Sequence, residues 1–203
     1  MLEAAGLDCE RSGRTLFRDL TFSVARGDLV RVAGPNGSGK TSLLRILCGL
    51  LAPTQGEVRW RGTPIRRLAE EYSRDLVYIG HASALKDELT PYENLDIACR
   101  LAGVQVHRAA LAWALGALAV PDLPVRKLSQ GQRRRAALAR LLVSEGVPLW
   151  LLDEPFAALD AAAAGYAEEL ITRHLKAGGS VIYTTHQQAA LDSRARVIDL
   201  AVG

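Results

Sequence analysis

The run VPLWLLD, residues 147–153, is apolar until its last position. A strand of that composition has no face to offer water. It demands cover on both sides, as in a parallel sheet between two layers of helix. Three further runs read the same way: 29–33 (LVRVA), 76–80 (LVYIG) and 181–184 (VIYT). Helical patterns separate them, at 41–50 with apolar residues at 43, 44, 46, 47 and 50, and at 161–175. Strand and helix in alternation predict an α/β fold with a wound parallel sheet.

Each run stops at something hydrophilic. The first opens into a glycine loop, the second ends at His81, the third at Asp153 and Glu154, the fourth at His186. In open parallel sheets, ligands bind beyond the carboxyl ends of the strands. Four convergent polar termini therefore predict one site there.

Between His81 and Gly146 the pattern is helix without strand. TPYENLDIACRLAG begins with Thr90 as an N-cap, Pro91 at the first helical position and Glu93 closing a capping box. HRAALAWALGALAV continues as a second helix. The expected organisation is a single domain over 1–203. An α/β core (1–81 and 147–203) carries a helical subdomain inserted at 82–146. The first 30 residues and GEVRWRG near Trp60 predict a small antiparallel β flank. There is no low-complexity segment and no internal repeat.

Composition narrows the classes. Of the 203 residues, 49% are hydrophobic but only 5% aromatic, so the interior should be aliphatic and alanine-rich. A net charge of +3 and a pI near 8.9 are too mild to argue for nucleic acid. The densest basic run, Arg133 to Arg135, is expected on a solvated helical face. Cys9, Cys48 and Cys99 are far apart and form no C-x-x-C pair, which argues against a disulfide framework or zinc site and fits a reducing compartment. The first residues carry acids rather than a basic-then-apolar signal. No stretch approaches the ~20 apolar residues that span a bilayer. The nearest, 109–120, is broken by Gly116. A membrane role would have to come through a partner.

GPNGSGKTS, Gly34 to Ser42, matches G-x-x-x-x-G-K-[ST] between a predicted strand and a predicted helix. Gly34, Gly37 and Gly39 let the backbone turn its amides inward around an anion, with Pro35, Asn36 and Ser38 completing the loop. The helix dipole adds favourable potential. Lys40 would reach the β- and γ-phosphates of a nucleotide, and the Thr41 hydroxyl would ligate Mg²⁺. Asp153 is the expected magnesium partner through water, and Glu154 would polarise the attacking water.

LSQGQRRRAALARLL places Ser129 and Gln132 as a capping box, which alone would mean only a well-started helix. That helix start also presents free amides suited to phosphate. With the glycine loop, the Asp153–Glu154 pair and AALD (Ala157 to Asp160), the chain resembles the ABC-type ATPases over essentially its whole length, in the right motif order. The resemblance implies a RecA-like P-loop NTPase fold binding ATP and Mg²⁺. It also implies a head-to-tail dimer that sandwiches two ATPs. Ser129 and Gly131 of one copy would then contact the γ-phosphate held by Lys40 of the other, with Asp160 at the seam. His186 would bond the γ-phosphate and help hold the attacking water.

Two positions depart from that family's pattern. At the end of the second strand the family usually has a glutamine that touches magnesium; here it is His81, and the next glutamine is Gln105. Imidazole is a poor magnesium ligand. His81 is expected to act through a bridging water or as a coupling lever, the alternative being a histidine satisfied by neighbouring backbone. Where the family has an adenine-stacking aromatic, CERSGR has Arg11, whose guanidinium can also stack on a base; the alternative is a plain surface arginine.

The shortness of the chain, YIGH, LTPYENL, LDEPFAALD and TTHQ together resemble the ATP-binding subunits of the haem exporter of cytochrome c maturation. That implies integral membrane permease partners at the cytoplasmic face of the inner membrane, and indirectly a periplasmic haem chaperone. No direct haem binding is expected: His107 and His174 fall in helical stretches and are expected to be solvated, and no haem-attachment spacing occurs. The rival is the ATPase of another small importer or exporter, for lipid, metal or peptide. A coiled-coil chromosome ATPase is less consistent, for no sustained heptads occur.

Overall fold

The computed structural model describes residues 1–186 and 190–200. Two sheets carry the fold. The parallel one has the order β6 (Leu76–Ile79), β7 (Leu149–Asp153), β8 (Ser180–Thr184), β3 (Leu29–Ala33) and β9 (Arg196–Asp199). The antiparallel one has the order β2 (Arg14–Val24), β1 (Leu2–Arg11), β4 (Gln55–Trp60) and β5 (Thr63–Pro64). This is the wound α/β sheet with an antiparallel flank that the pattern predicted.

Period-two alternation divides the interior into two cores, one on each face of the parallel sheet. Leu149 and Leu151 of β7 and Ile182 of β8 pack with Leu43, Leu44 and Leu47 of α1 (Lys40–Leu47) and with Leu2 and Leu7 of β1. The antiparallel sheet thus closes over α1. Trp150 and Leu152 of β7 and Val181 and Tyr183 of β8 face the other way. There they meet Leu138 of α5 (Gln130–Leu142) and Leu170 of α6 (Ala161–Lys176). Burying each such side chain contributes about 1.5–3 kcal/mol, so a one-residue slip of β7 would exchange the contents of both cores.

The stretch between β6 and β7 holds α3 (Pro91–Leu101), α4 (Arg108–Ala117) and α5. α3 starts as expected, with Thr90 and Glu93 forming a reciprocal capping box and Pro91 at N1. His107 is the exposed N-cap residue of α4 rather than part of the helix.

Some boundaries moved for local reasons. α1 stops at Leu47, not at residue 50, because Gly49 takes φ 78° and its amide closes onto Ile46 O. β7 begins at Leu149, since Pro148 has no N–H for the ladder. Two elements carried too little apolar signal to be foreseen: the charged α2 (Ile65–Arg74) and the short edge strand β9.

Candidate active site

The loop between β3 and α1 is built to receive an anion. Gly39, the N-cap of α1, has φ 101°, and no side chain caps the helix. By contrast α3, α5 and α6 are capped by Thr90, Ser129 and Asp160. The first-turn amides of α1 are therefore left for another acceptor. A Cβ on Gly39 would lie 3.0 Å from Leu16 Cβ and 3.2 Å from the Phe17 ring, so the β1–β2 hairpin packs directly on the loop. Lys40 is buried, and its Nζ donates to Gly34 O at 2.8 Å and Pro35 O at 3.0 Å. Among the described residues no carboxylate pairs with it. The buried Ser38 hydroxyl, close to Gly34, has no partner among the described residues. An uncompensated ammonium, uncapped amides and an orphaned hydroxyl fit a phosphate group.

Thr41 joins this loop to the end of β7, its hydroxyl donating to Asp153 Oδ2 at 2.8 Å. Asp153 is 1% exposed and Oδ1 accepts from Thr184 Oγ1 at 2.7 Å. Thr184 in turn accepts from the Glu154 amide at 2.9 Å. The oxygen donors of Thr41 and Asp153, side by side and buried, suit a hard cation such as Mg²⁺. Glu154 stands at φ 53°, a left-handed conformation rare for a non-glycine residue. Its Oε2 accepts from the His186 amide at 3.1 Å and its Oε1 lies 3.4 Å from His186 Nε2. His186 is half exposed at the mouth of the site, whereas Glu154 is buried.

The start of α5 is a finished cap. Ser129 Oγ accepts from the Gln132 amide at 3.2 Å, and Gln132 Oε1 accepts from the Ser129 amide at 2.8 Å. Ser129 is exposed, and its hydroxyl proton remains free to donate. Gly131 is required by close approach: a Cβ there would sit 2.5 Å from Ala158 O. The α5 tip thus rests on the AALD turn, whose Asp160 caps α6 by accepting from the Ala163 amide at 2.8 Å.

Glycine loop, Asp153, Glu154 and His186 are thus joined by contacts within one copy. His81 is exposed just past β6, and no bond to its imidazole occurs among the described residues, so it is not a histidine held by neighbouring backbone. Arg11 is exposed at the hairpin tip, cross-strand from Arg14. Asn36 and Gly37 are exposed at the loop crest and Ser42 is half-buried in α1. Gln187 of TTHQ lies outside the described residues.

Two expectations fail. The basic run is not a solvated face: Arg134 is 3% exposed and its guanidinium bonds main-chain carbonyls, while Arg133 pairs with Asp87 at 2.8 Å. His174 is not solvated either, being 5% exposed. The helical period places Arg134 and His174 on the inward faces of α5 and α6, and charge or polarity at one position does not overrule the stripe around it. Thr184 and Arg134 were not foreseen as parts of the site. The only hint of Thr184 was a hydroxyl ending an apolar strand.

A sequence profile described as ABC transporter matches residues 17–157. The cytochrome c biogenesis ATP-binding export protein CcmA of Aromatoleum aromaticum is 52% identical over 99% of this chain and 95% of its own. A solved ATP-binding subunit of an ABC transporter superposes with TM-score 0.85 at 26% identity, over 99% of this chain and 86% of that one. A dimeric ATP-binding cassette in a post-hydrolysis state, bound to ADP and Pi, superposes with TM-score 0.85 at 22% identity, over 99% and 94%. The last shows the fold alone. By profile and by close relatives, the chain belongs to the ABC transporter family, on the branch of the cytochrome c biogenesis ATP-binding export proteins.

Proposed function

We propose that this chain is the ATP-hydrolysing subunit of the haem exporter of cytochrome c biogenesis. It docks on integral membrane permease subunits at the cytoplasmic face of the inner membrane and acts, through them, on a periplasmic haem chaperone. The name carried by close relatives, an ATP-binding export protein of cytochrome c biogenesis, supports the export role. Among the described residues no helix is long and apolar enough to cross a membrane, which is consistent with attachment through partners.

The observation that carries the chemistry is the linked set Lys40, Thr41, Asp153, Glu154 and His186 at the carboxyl ends of three neighbouring strands. ATP is held with its phosphates in the loop Gly34 to Ser42, where the amides and Lys40 bear the negative charge. Thr41 and Asp153 are the residues that would hold Mg²⁺, which supplies neutralisation of phosphate charge when bound. Glu154 accepts a proton from a water whose oxygen attacks the γ-phosphorus in line. The bond from that phosphorus to the β–γ bridging oxygen breaks, leaving ADP and phosphate. His186, with Nε2 beside the Glu154 carboxylate, orients that water and donates to the γ-phosphate.

Ser129, Gly131 and Gln132 complete the site from a second copy. The exposure of Ser129 at the very tip supports this, with Gly131 and Gln132 half-buried behind it, because a tip wholly covered in one copy could not reach a neighbour's nucleotide. Arg11 stands against the base and His81 beside the phosphates, relaying their state to the membrane partner. The decisive experiment is Glu154→Gln. It should lose on the order of 10²–10⁴ in turnover and accumulate as an ATP-bound dimer on size-exclusion chromatography. Hydrolysis at the parental rate would remove Glu154 as the base.

A further inference from the structure

Arg134 lies on α5, one and a half helical turns past Ser129, about 7.5 Å along the axis. It is 3% exposed, yet all its bonds go to main-chain carbonyls. Nη1 donates to Gly80 O at 2.8 Å, Nη2 to Asp153 O, and Nε to Pro155 O at 3.4 Å. Buried cations ordinarily face a carboxylate. Here the Asp153 and Glu154 carboxylates are near enough to support the charge that burial disfavours, without bonding it.

The three acceptors share a place in the fold. Gly80 O is one residue before His81, at the end of β6. Asp153 O and Pro155 O bracket Glu154, the residue standing at φ 53°. A side chain in that conformation keeps its direction only where its surroundings over-determine it. A planar guanidinium has five donors in a fixed fork and can address three acceptors on two strand ends together; lysine or glutamine cannot.

We propose that Arg134 is a positioning residue that ties the tip of α5 to the main chain on either side of Glu154 and to the strand end before His81. Seating Ser129 on the nucleotide of a second copy would then align Glu154 for attack. This rests on the function proposed above. Arg134 touches neither nucleotide nor water; it acts through the carbonyls on either side of the base. It therefore sets the hydrolytic step and not the affinity for ATP.

The test is Arg134→Gln in the full chain, with kcat, KM for ATP and equilibrium ATP binding measured per folded molecule. The expected result is a kcat loss on the order of 10²-fold, the scale of a ~1 Å misplacement of a reacting group, with KM and ATP Kd within about twofold of the parent. A residue that only supports the fold would lower Tm and leave kcat per folded molecule unchanged, and that result overturns the proposal. Should Arg134→Gln not accumulate folded, Arg134→Lys takes its place. Its single ammonium keeps the charge but spans fewer carbonyls, so kcat should fall on the order of tenfold at unchanged KM; parental kcat overturns the proposal equally. Failure of the underlying function is read separately. A parent without ATPase activity, or Glu154→Gln turning over normally, sinks that reading and takes this one with it.

Discussion

The imidazole of His174 lies flat on the indole of Trp150, ring centroids 3.7 Å apart and planes 6° apart. Among the described residues neither Trp150 Nε1 nor a ring nitrogen of His174 has a well-formed hydrogen bond; only the Ser180 backbone comes near enough to the imidazole to oppose, in part, the effect of burial. Gly179 makes room for the stack, since a Cβ there would come within 2.1 Å of the imidazole. The charged groups of the adjoining cavities are Arg26, Arg61, Glu145 and Arg173.

Burial pushes the His174 pKa down to about 4, so the folded chain binds fewer protons than the unfolded one between that value and the ordinary value of 6.5. The stability tied to a neutral His174 is present above pH 6.5 and is lost as pH falls toward 4. Between pH 7 and 5 the loss is about 2 kcal/mol, or roughly 4–8 °C in Tm for a chain of this size. Melting curves of parent and His174→Phe over that range should diverge by this amount, the variant being flatter. Parallel curves would remove His174 as a source of acid sensitivity.

Thr41 and Asp153 are expected to share the metal. Thr41→Ala deletes one oxygen donor and leaves Asp153 Oδ2 buried without its hydroxyl. The Mg²⁺ concentration for half-maximal ATPase should rise on the order of 10- to 100-fold, as when a metal site loses part of its shell. Removing Mg²⁺ with a chelator should stop turnover in the parent. A magnesium titration identical in both proteins would contradict the assignment.

His81 is exposed at the strand end proposed to report on the phosphates. ATPase turnover of His81→Gln should differ from that of the parent. Equal turnover would remove His81 from the cycle.

Gly131→Ala forces a methyl onto Ala158 O, a main-chain atom that cannot turn aside. The α5 tip and the AALD turn must separate, at about 1–3 kcal/mol of stability. Turnover should drop on the order of tenfold or more as Ser129 moves off its line. Thermal melts and ATPase assays together check this; parental values in both would show that the contact is not tight in solution.

Much of this site was legible in sequence because its parts are local. The glycine loop is one contiguous segment, and its meaning depends only on a strand before it and a helix after. The same holds for Thr90 with Glu93 and Ser129 with Gln132, where both partners of each box sit three residues apart on one turn. The alternation in β7 likewise dictates a strand covered on both faces, whatever surrounds it.

Arg134, His174 and Thr184 were different. Nothing adjacent to Arg134 in sequence distinguishes it from Arg133 or Arg135. What separates them is the rotation of α5 against β6 and β7, which brings one guanidinium to three carbonyls 19, 21 and 54 residues away. The stack of His174 on Trp150 needs the docking of α6 on the sheet, and the bridge from Thr184 to Asp153 and Glu154 needs β8 beside β7. Chain chemistry determined which segments fold and which groups can meet a phosphate. Only tertiary packing decided which charges are buried, since burial belongs to the whole surface closed around a residue and not to the residues beside it.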